Sequence, residues 1–195
     1  MKKNLLVVVD MVNGFVKFGA LHDEKINEIT PTIIEAIKFA KLNDFEIVNF
    51  RDSHNENDEE FKIFPKHCLK GTDESKLIDE LKPYQQYFDF DIEKTTTNGF
   101  VTKEFLELVK KENFDNVLIT GCCTDICVLN FFNSYNEYIK NNNLKTKLIV
   151  LDNACATFDA EGHRAKEIHR KAINNMKKHG AIIKDFPIKE EDKIL

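Results

Sequence analysis

Residues 116–128 read NVLITGCCTDICV, an apolar run that passes straight into a helical one. Asn116 to Thr120 is a short apolar, β-branched run of the kind found in a strand buried on both faces. A glycine and two cysteines interrupt it, and a helical period then runs from about Thr124 to Lys140. A buried strand feeding directly into a helix is part of a crossover unit, and parallel neighbours in a sheet need such crossovers.

The same alternation recurs along the rest of the chain. Five further strand-like runs are Leu5 to Asp10, Phe45 to Phe50, Tyr87 to Glu93, Lys147 to Leu151 and Ala181 to Lys184. Helical periods lie between most of them: Pro31 to Leu42 with Ile33, Ile34, Ile37 and Ala40 inward, Lys103 to Lys111 with Phe105, Leu106 and Val109 inward, and Ala160 to Lys178. The pattern predicts an α/β fold, a three-layer αβα arrangement around a doubly wound, mostly parallel six-stranded sheet. No repeat or Pro/Gly-rich linker divides the chain, so residues 1–195 read as one domain. The stretch Arg51 to Glu74 lacks periodicity, and loops of that length inside compact domains are usually functional.

Composition narrows the function. With 42% hydrophobic and 31% charged residues, a chain of this length buries roughly 70% of its unfolded surface and needs no disulfide or structural metal. The formal charge is 28 minus 33, or -5, without a basic block, which argues against nucleic acid or an anionic membrane and for a small-molecule partner. The early apolar run, flanked by Lys2 and Lys3, ends at Asp10, too short for a secretory or membrane segment; a cytoplasmic protein is expected. The odd cysteine count (Cys68, Cys122, Cys123, Cys127, Cys155) points to free thiols.

In open α/β sheets ligands bind beyond the carboxyl ends of the strands. Four predicted strand ends carry reactive groups: Asp10, the pair Asp52 and His54, Lys94, and the segment Gly121 to Cys127. Thr124 reads as the N-cap of the following helix, with Cys127 in its first turn, where the dipole would lower a thiol pKa. Alone, Cys127 reads as a buried structural cysteine, and Cys122, Cys123 and Cys127 together as a thiol cluster whose spacing matches no standard zinc pattern. A carboxylate beside a lysine stays ionised and can take a thiol proton, so Asp10, Lys94 and Cys127 make a candidate triad. Asp52 and His54, two apart, face one side of an extended strand and suit zinc, iron or manganese. His67 at the far end of the loop could complete the set with Glu60 as a fourth ligand, although Asp58, Glu59 and Glu60 also read as a solvated acidic run. His163, His169 and His179 read as solvated residues of a lysine-rich helix.

The strings VVVDMVNGF (Val7–Phe15), RDSH (Arg51–His54), FPKHCLKGT (Phe64–Thr72), Lys94 and GCCTDICV (Gly121–Val128) together resemble the isochorismatase-like cysteine hydrolases, in particular the metal-bearing nicotinamidases. The resemblance spans about residues 5–160. It implies Cys127 as nucleophile, Asp10 as general base and Lys94 as third member. It further implies an oxyanion hole from the backbone N–H groups of Cys123 and Cys127, with a cis peptide between Cys122 and Cys123. One divalent ion, zinc first with iron or manganese as alternatives, would be held by Asp52, His54, His67 and Glu60. Phe15 and Phe64 match ring-binding positions, and Phe100 replaces one pocket wall where TTTNGFVTKEF departs from the family pattern. The implied reaction is hydrolysis of a small carboxamide, nicotinamide to nicotinate, by a protein that could form a homo-oligomer. Two alternatives remain open at this point: hydrolysis of another small amide, ureido or enol-ether substrate, and a catalytically silent binding or assembly module.

Overall fold

A computed structural model describes residues 3–189; the two extremes of the expected 1–195 domain, Lys2 among them, lie outside the described residues. Six strands form one sheet in the order β3-β2-β1-β4-β5-β6, every neighbouring pair parallel. They are β1 (Asn4–Val9), β2 (Glu46–Asp52), β3 (Phe90–Lys94), β4 (Asn116–Cys122), β5 (Lys147–Ala156) and β6 (Ile182–Lys184). The helices are α1 (Asn13–Val16), α2 (Thr30–Leu42), α3 (Lys103–Lys111), α4 (Leu129–Asn141) and α5 (Ala165–Lys178).

Strand β1 shows how the layers arise. Side chains alternate across a strand, and here both faces are apolar: Leu6 and Val8 pack into the core built with Ile33, Ala36, Ile37 and Ala40 of α2. Leu5, Val7 and Val9 pack into the opposite core with Phe105 of α3, Phe131 and Tyr135 of α4, and Ile173 and Met176 of α5. The result is the three-layer, doubly wound α/β fold that the sequence predicts. Among the described residues, no helix is long and apolar enough to cross a membrane.

Two boundaries near the carboxyl ends of the strands differ from expectation. Strand β5 runs on to Ala156, with a register shift in its pairing with β4 between Ile119 and Gly121. Helix α5 starts at Ala165 rather than Ala160, because residues 160–163 close a tight turn in which Ala160 and His163 exchange both backbone hydrogen bonds at 2.9 Å.

Candidate functional site

The strand order reverses direction between β1 and β4, and the groups of interest gather at the carboxyl ends there. Gly121 lets the two strands close up: a Cβ at this position, where φ is 111°, would lie 2.0 Å from the Val9 carbonyl oxygen. Asp10 follows with φ 55°, a left-handed conformation uncommon outside glycine, and its amide donates to Phe50 O at 3.0 Å. The Cys122 thiol donates to the Asp10 carbonyl at 3.2 Å, and the Cys122–Cys123 peptide is cis.

The chain after Cys123 winds as one π-type turn, Thr124–Val128, before α4 begins. Such turns recur at functional sites, and this one carries Cys127 into the space beside β1 and β3. Lys94, at the end of β3 and fully buried, stands at the centre. Its Nζ lies 2.7 Å from Asp10 Oδ2, 3.0 Å from Thr96 O and 3.9 Å from Cys127 Sγ, and it also donates to Asp52 Oδ1. The parallel register sets that last contact, since Asp52 and Lys94 are paired across β2 and β3.

Burial and the charge of Asp52 push the Asp10 carboxyl up to about 7, against the pull of Lys94. Burial would raise Asp52 too, but Lys94 and the two imidazoles hold it below the usual carboxylate range. Burial also drives the Cys127 thiol well above its ordinary value, and Asp10 and Asp52 add to this, although Lys94 opposes it. The lowered thiol expected from a helix terminus is therefore not found. Thr124 is not an N-cap either: Cys123 occupies the cap position, and no side chain caps the turn.

Asp52, His54, Glu60 and His67 converge. One ligand atom from each lies within 4.8 Å of all the others. A bridge between His54 and Leu69 ties the far end of the long loop back to β2, through His54 N to Cys68 O at 2.9 Å and Lys70 N to His54 O at 2.8 Å, and so returns His67 to the strand end. The contacts are longer than good hydrogen bonds: Asp52 Oδ2 is 3.5 Å from Nε2 of both His54 and His67, and Glu60 Oε1 is 3.8 Å and 3.7 Å from the same two nitrogens. Asp52 Oδ2 and His54 Nε2 are buried without a hydrogen-bond partner. Two carboxylates and two imidazoles gathered this closely, with buried atoms left unpaired among them, make the oxygen and nitrogen donor set that zinc and similar divalent cations take. The outer nitrogens are fixed as metal-binding imidazoles require, His54 Nδ1 on Asp58 Oδ2 at 3.1 Å and His67 Nδ1 on Pro65 O at 2.8 Å. The residues fit a divalent cation.

Cys127 of the first group and Asp52, Glu60 and His67 of the second open on one cavity of about 250 Å³, lined also by Phe15, Phe64 and Phe158. It is below the roughly 300–1,000 Å³ of drug-sized sites and mostly apolar, which suits a small planar ligand. Phe15 and Phe64 line it, whereas Phe100 does not. Asn98 accepts from the Phe100 amide at 3.1 Å and caps the turn Gly99–Val101, and the Phe100 ring is thereby turned into the core against Tyr135, at 5.2 Å between centroids, and Phe105, at 5.6 Å. Thr97 lines the cavity instead.

Sequence reasoning also missed the supports behind the Cys127 turn. Thr124 Oγ1 meets His169 Nδ1 at 2.9 Å, and His169 Nε2 meets Asp152 Oδ1 at 2.8 Å. Asp125 accepts from the Thr157 hydroxyl at 2.5 Å and faces His163 Nε2 at 2.9 Å. His163 and His169 are thus partnered rather than solvated; His163 precedes α5, and His169 sits where α5 meets the turn. The signal available in sequence was the extra polar pair Thr124-Asp125 ahead of an apolar ICV run.

The isochorismatase domain model matches residues 4–185. The chain is 31% identical over 182 residues to nicotinamidase 1 of Arabidopsis thaliana, covering 84% of this chain and 73% of that protein. The pyrazinamidase/nicotinamidase of Streptococcus mutans UA159 superposes with a TM-score of 0.80 at 25% identity, over 93% of this chain and 99% of that one. N-carbamoylsarcosine amidase of Thermoplasma acidophilum gives 0.79 at 26%, over 96% and 99%. With a sheet, a strand-end site and a family match that run over nearly the whole chain, this protein belongs to the isochorismatase family.

Proposed function

We propose that the protein is a nicotinamidase-type amidohydrolase, converting nicotinamide and water to nicotinate and ammonia through a thioester on Cys127. The observation that carries this reading is that Cys127, joined through Lys94 to Asp10, opens on the same small apolar cavity as Asp52, Glu60 and His67 of a four-residue metal donor set. A triad alone would fit any cysteine amidase of the family; the donor set adds a point that fixes a heteroaromatic ring.

In this reading Asp10 takes the Cys127 proton as sulfur attacks the carboxamide carbon. A base with a pKa near 7 is suited to that exchange, and a thiol held high by burial loses its proton only when the acceptor is in place. Lys94 keeps its charge between Asp10 and Asp52 and stabilises the sulfur anion that forms. The tetrahedral oxyanion takes hydrogen bonds from the Cys123 and Cys127 N–H groups. As the carbon–nitrogen bond breaks, Asp10 returns the proton to the leaving amine and ammonia departs. Water then adds to the thioester with Asp10 again as base, and nicotinate leaves as Cys127 is reprotonated. Phe15 and Phe64 pack against the ring. A divalent ion on Asp52, His54, Glu60 and His67, zinc with iron or manganese as alternatives, would supply a Lewis-acidic anchor for the ring nitrogen. The reaction belongs to pyridine nucleotide salvage, and we assign it to the cytoplasm.

The test is ammonia release from nicotinamide by purified protein, as isolated and after chelation, beside Cys127→Ala. Expected are turnover by the metal-loaded protein, loss on chelation with recovery on adding a divalent metal, and no turnover by the variant. A Cys127→Ala protein with full activity would overturn the mechanism. Metal-loaded protein that leaves nicotinamide intact would overturn the substrate.

A further inference from the structure

The wall of the cavity contributed by Phe158 is held in an unusual way. Beyond β5 the chain makes the tight turn 160–163, with Gly162 at φ 74°, and this folds His163 back onto Phe158. The two rings stack at 4.0 Å between centroids, 3° from parallel. His163 Nδ1 lies 2.9 Å from the Phe158 carbonyl oxygen, and Nε2 lies 2.9 Å from Asp125 Oδ2, on the turn that carries Cys127. A carbonyl and an ionised carboxylate both only accept, and a neutral imidazole has one N–H to give. Both contacts are satisfied together only by the imidazolium.

We propose that His163 is a positioning residue that, as a doubly donating imidazolium, latches the Phe158 wall of the cavity onto the Cys127 turn and so sets how tightly the substrate ring is held. The proposal rests on the amidohydrolase reading for its substrate, though not for the latch itself. The charged groups around His163 agree with it. Asp125 faces it from the π-type turn, and Asp159 acts on it from its own loop while pairing with Lys25 at 2.9 Å. The neighbouring cation, Arg164, turns away to Glu167 at 2.6 Å, and His169 on α5 is engaged with Thr124 and Asp152. Burial lowers the His163 pKa, but Asp125 and the Phe158 carbonyl outweigh it and the net shift is upward. The latch is therefore complete below the ordinary histidine value and loses one of its two bonds as the pH rises through the raised one.

Two measurements test this. The first uses the wild-type protein without substrate: nitrogen NMR of the histidine rings as a function of pH. Both ring nitrogens of His163 are expected to carry protons at neutral pH, with the Phe158–His163 ring contact weakening as the residue titrates. A single protonated nitrogen at neutral pH would overturn the proposal. The second compares His163→Phe, which keeps the stack and loses both donors, with His163→Arg, which keeps the charge and the donors at every pH. For His163→Phe, KM for nicotinamide should rise about tenfold with kcat little changed. For wild type KM should climb on the alkaline side, and for His163→Arg it should stay low and flat. An unchanged KM in His163→Phe, or a fall in kcat alone, would overturn the role in ring binding. If His163→Phe does not fold, His163→Gln takes its place. A wild type that releases no ammonia counts against the amidohydrolase reading only, and the ring-nitrogen spectrum then decides the latch.

Discussion

The two sides of the cavity treat their polar groups in opposite ways. On the loop side, Asp52, His54, Glu60 and His67 face one another across 3.5 to 3.8 Å, and two of the buried atoms have no hydrogen-bond partner. On the far side, Thr124, His169 and Asp152, and likewise Thr157, Asp125 and His163, are joined at 2.5 to 2.9 Å. Buried polar groups left unpaired are costly, so a cluster that leaves them so is built for something that binds there. A cluster in which every contact is made is built to hold shape. Lys94 belongs to neither alone: it joins the binding side, through Asp52, to the reacting side, through Asp10 and Cys127.

Removing Lys94 attacks this difference most directly and should give the largest effect. Lys94→Ala leaves Asp10 and Asp52 buried and facing each other without their shared cation. Loss of one partner of a buried pair costs about 3–5 kcal/mol, and turnover should drop by roughly 10³ or more with the triad incomplete. A cation on the Asp52 side would replace part of the lost charge. Urea unfolding should accordingly show a larger destabilisation in the presence of chelator than with zinc. Equal destabilisation in both conditions would mean that the two sides are not electrostatically linked through Asp52.

The pH profile comes next. Asp10 must be ionised to accept the thiol proton, and its pKa is about 7. For kcat/KM this predicts activity above about 7 that falls roughly tenfold per pH unit below it. The stability contribution runs the other way. A carboxyl with a folded pKa above its unfolded value of about 3.9 favours the native state fully below that value, and the benefit is lost as pH rises through about 7. Asp10→Asn should abolish turnover and remove this component from the pH dependence of unfolding. An acid limb centred near pH 4 would show that the carboxyl is better solvated than its burial implies.

Some of this was readable from residues alone and some was not, for reasons visible at particular positions. The buried runs of β1 and β4 announce a covered parallel sheet, and the spacing of Asp52 and His54 is a strand period that survives folding. His67 could be proposed because it ends an aperiodic loop, whereas its return depends on the bridge between His54 and Leu69. The contact of Asp52 with Lys94 depends on register between strands, which no local pattern encodes. Phe100 looked like a pocket wall from its place after Lys94; one asparagine cap turned it into the core. His169 lies on a helix whose polar composition describes its exposed face and hides the position that meets Thr124.

The smallest effect should come from the satisfied side. Thr124→Val keeps shape at a fully buried position and deletes only the hydroxyl that meets His169. His169 stays paired with Asp152, and its side chain is 23% exposed, so water can take up the freed ring nitrogen. The loss is then that of one hydrogen bond, about 1 kcal/mol, with turnover down only a few-fold because neither Cys127 nor Asp10 is touched. Asp152→Asn gives a second reading of the same chain, weakening the His169 anchor from its exposed end. If either substitution instead silenced the enzyme while the unfolding midpoint stayed put, the Thr124 chain would be moving protons for the reaction, and the division between a binding side and a holding side would fail there.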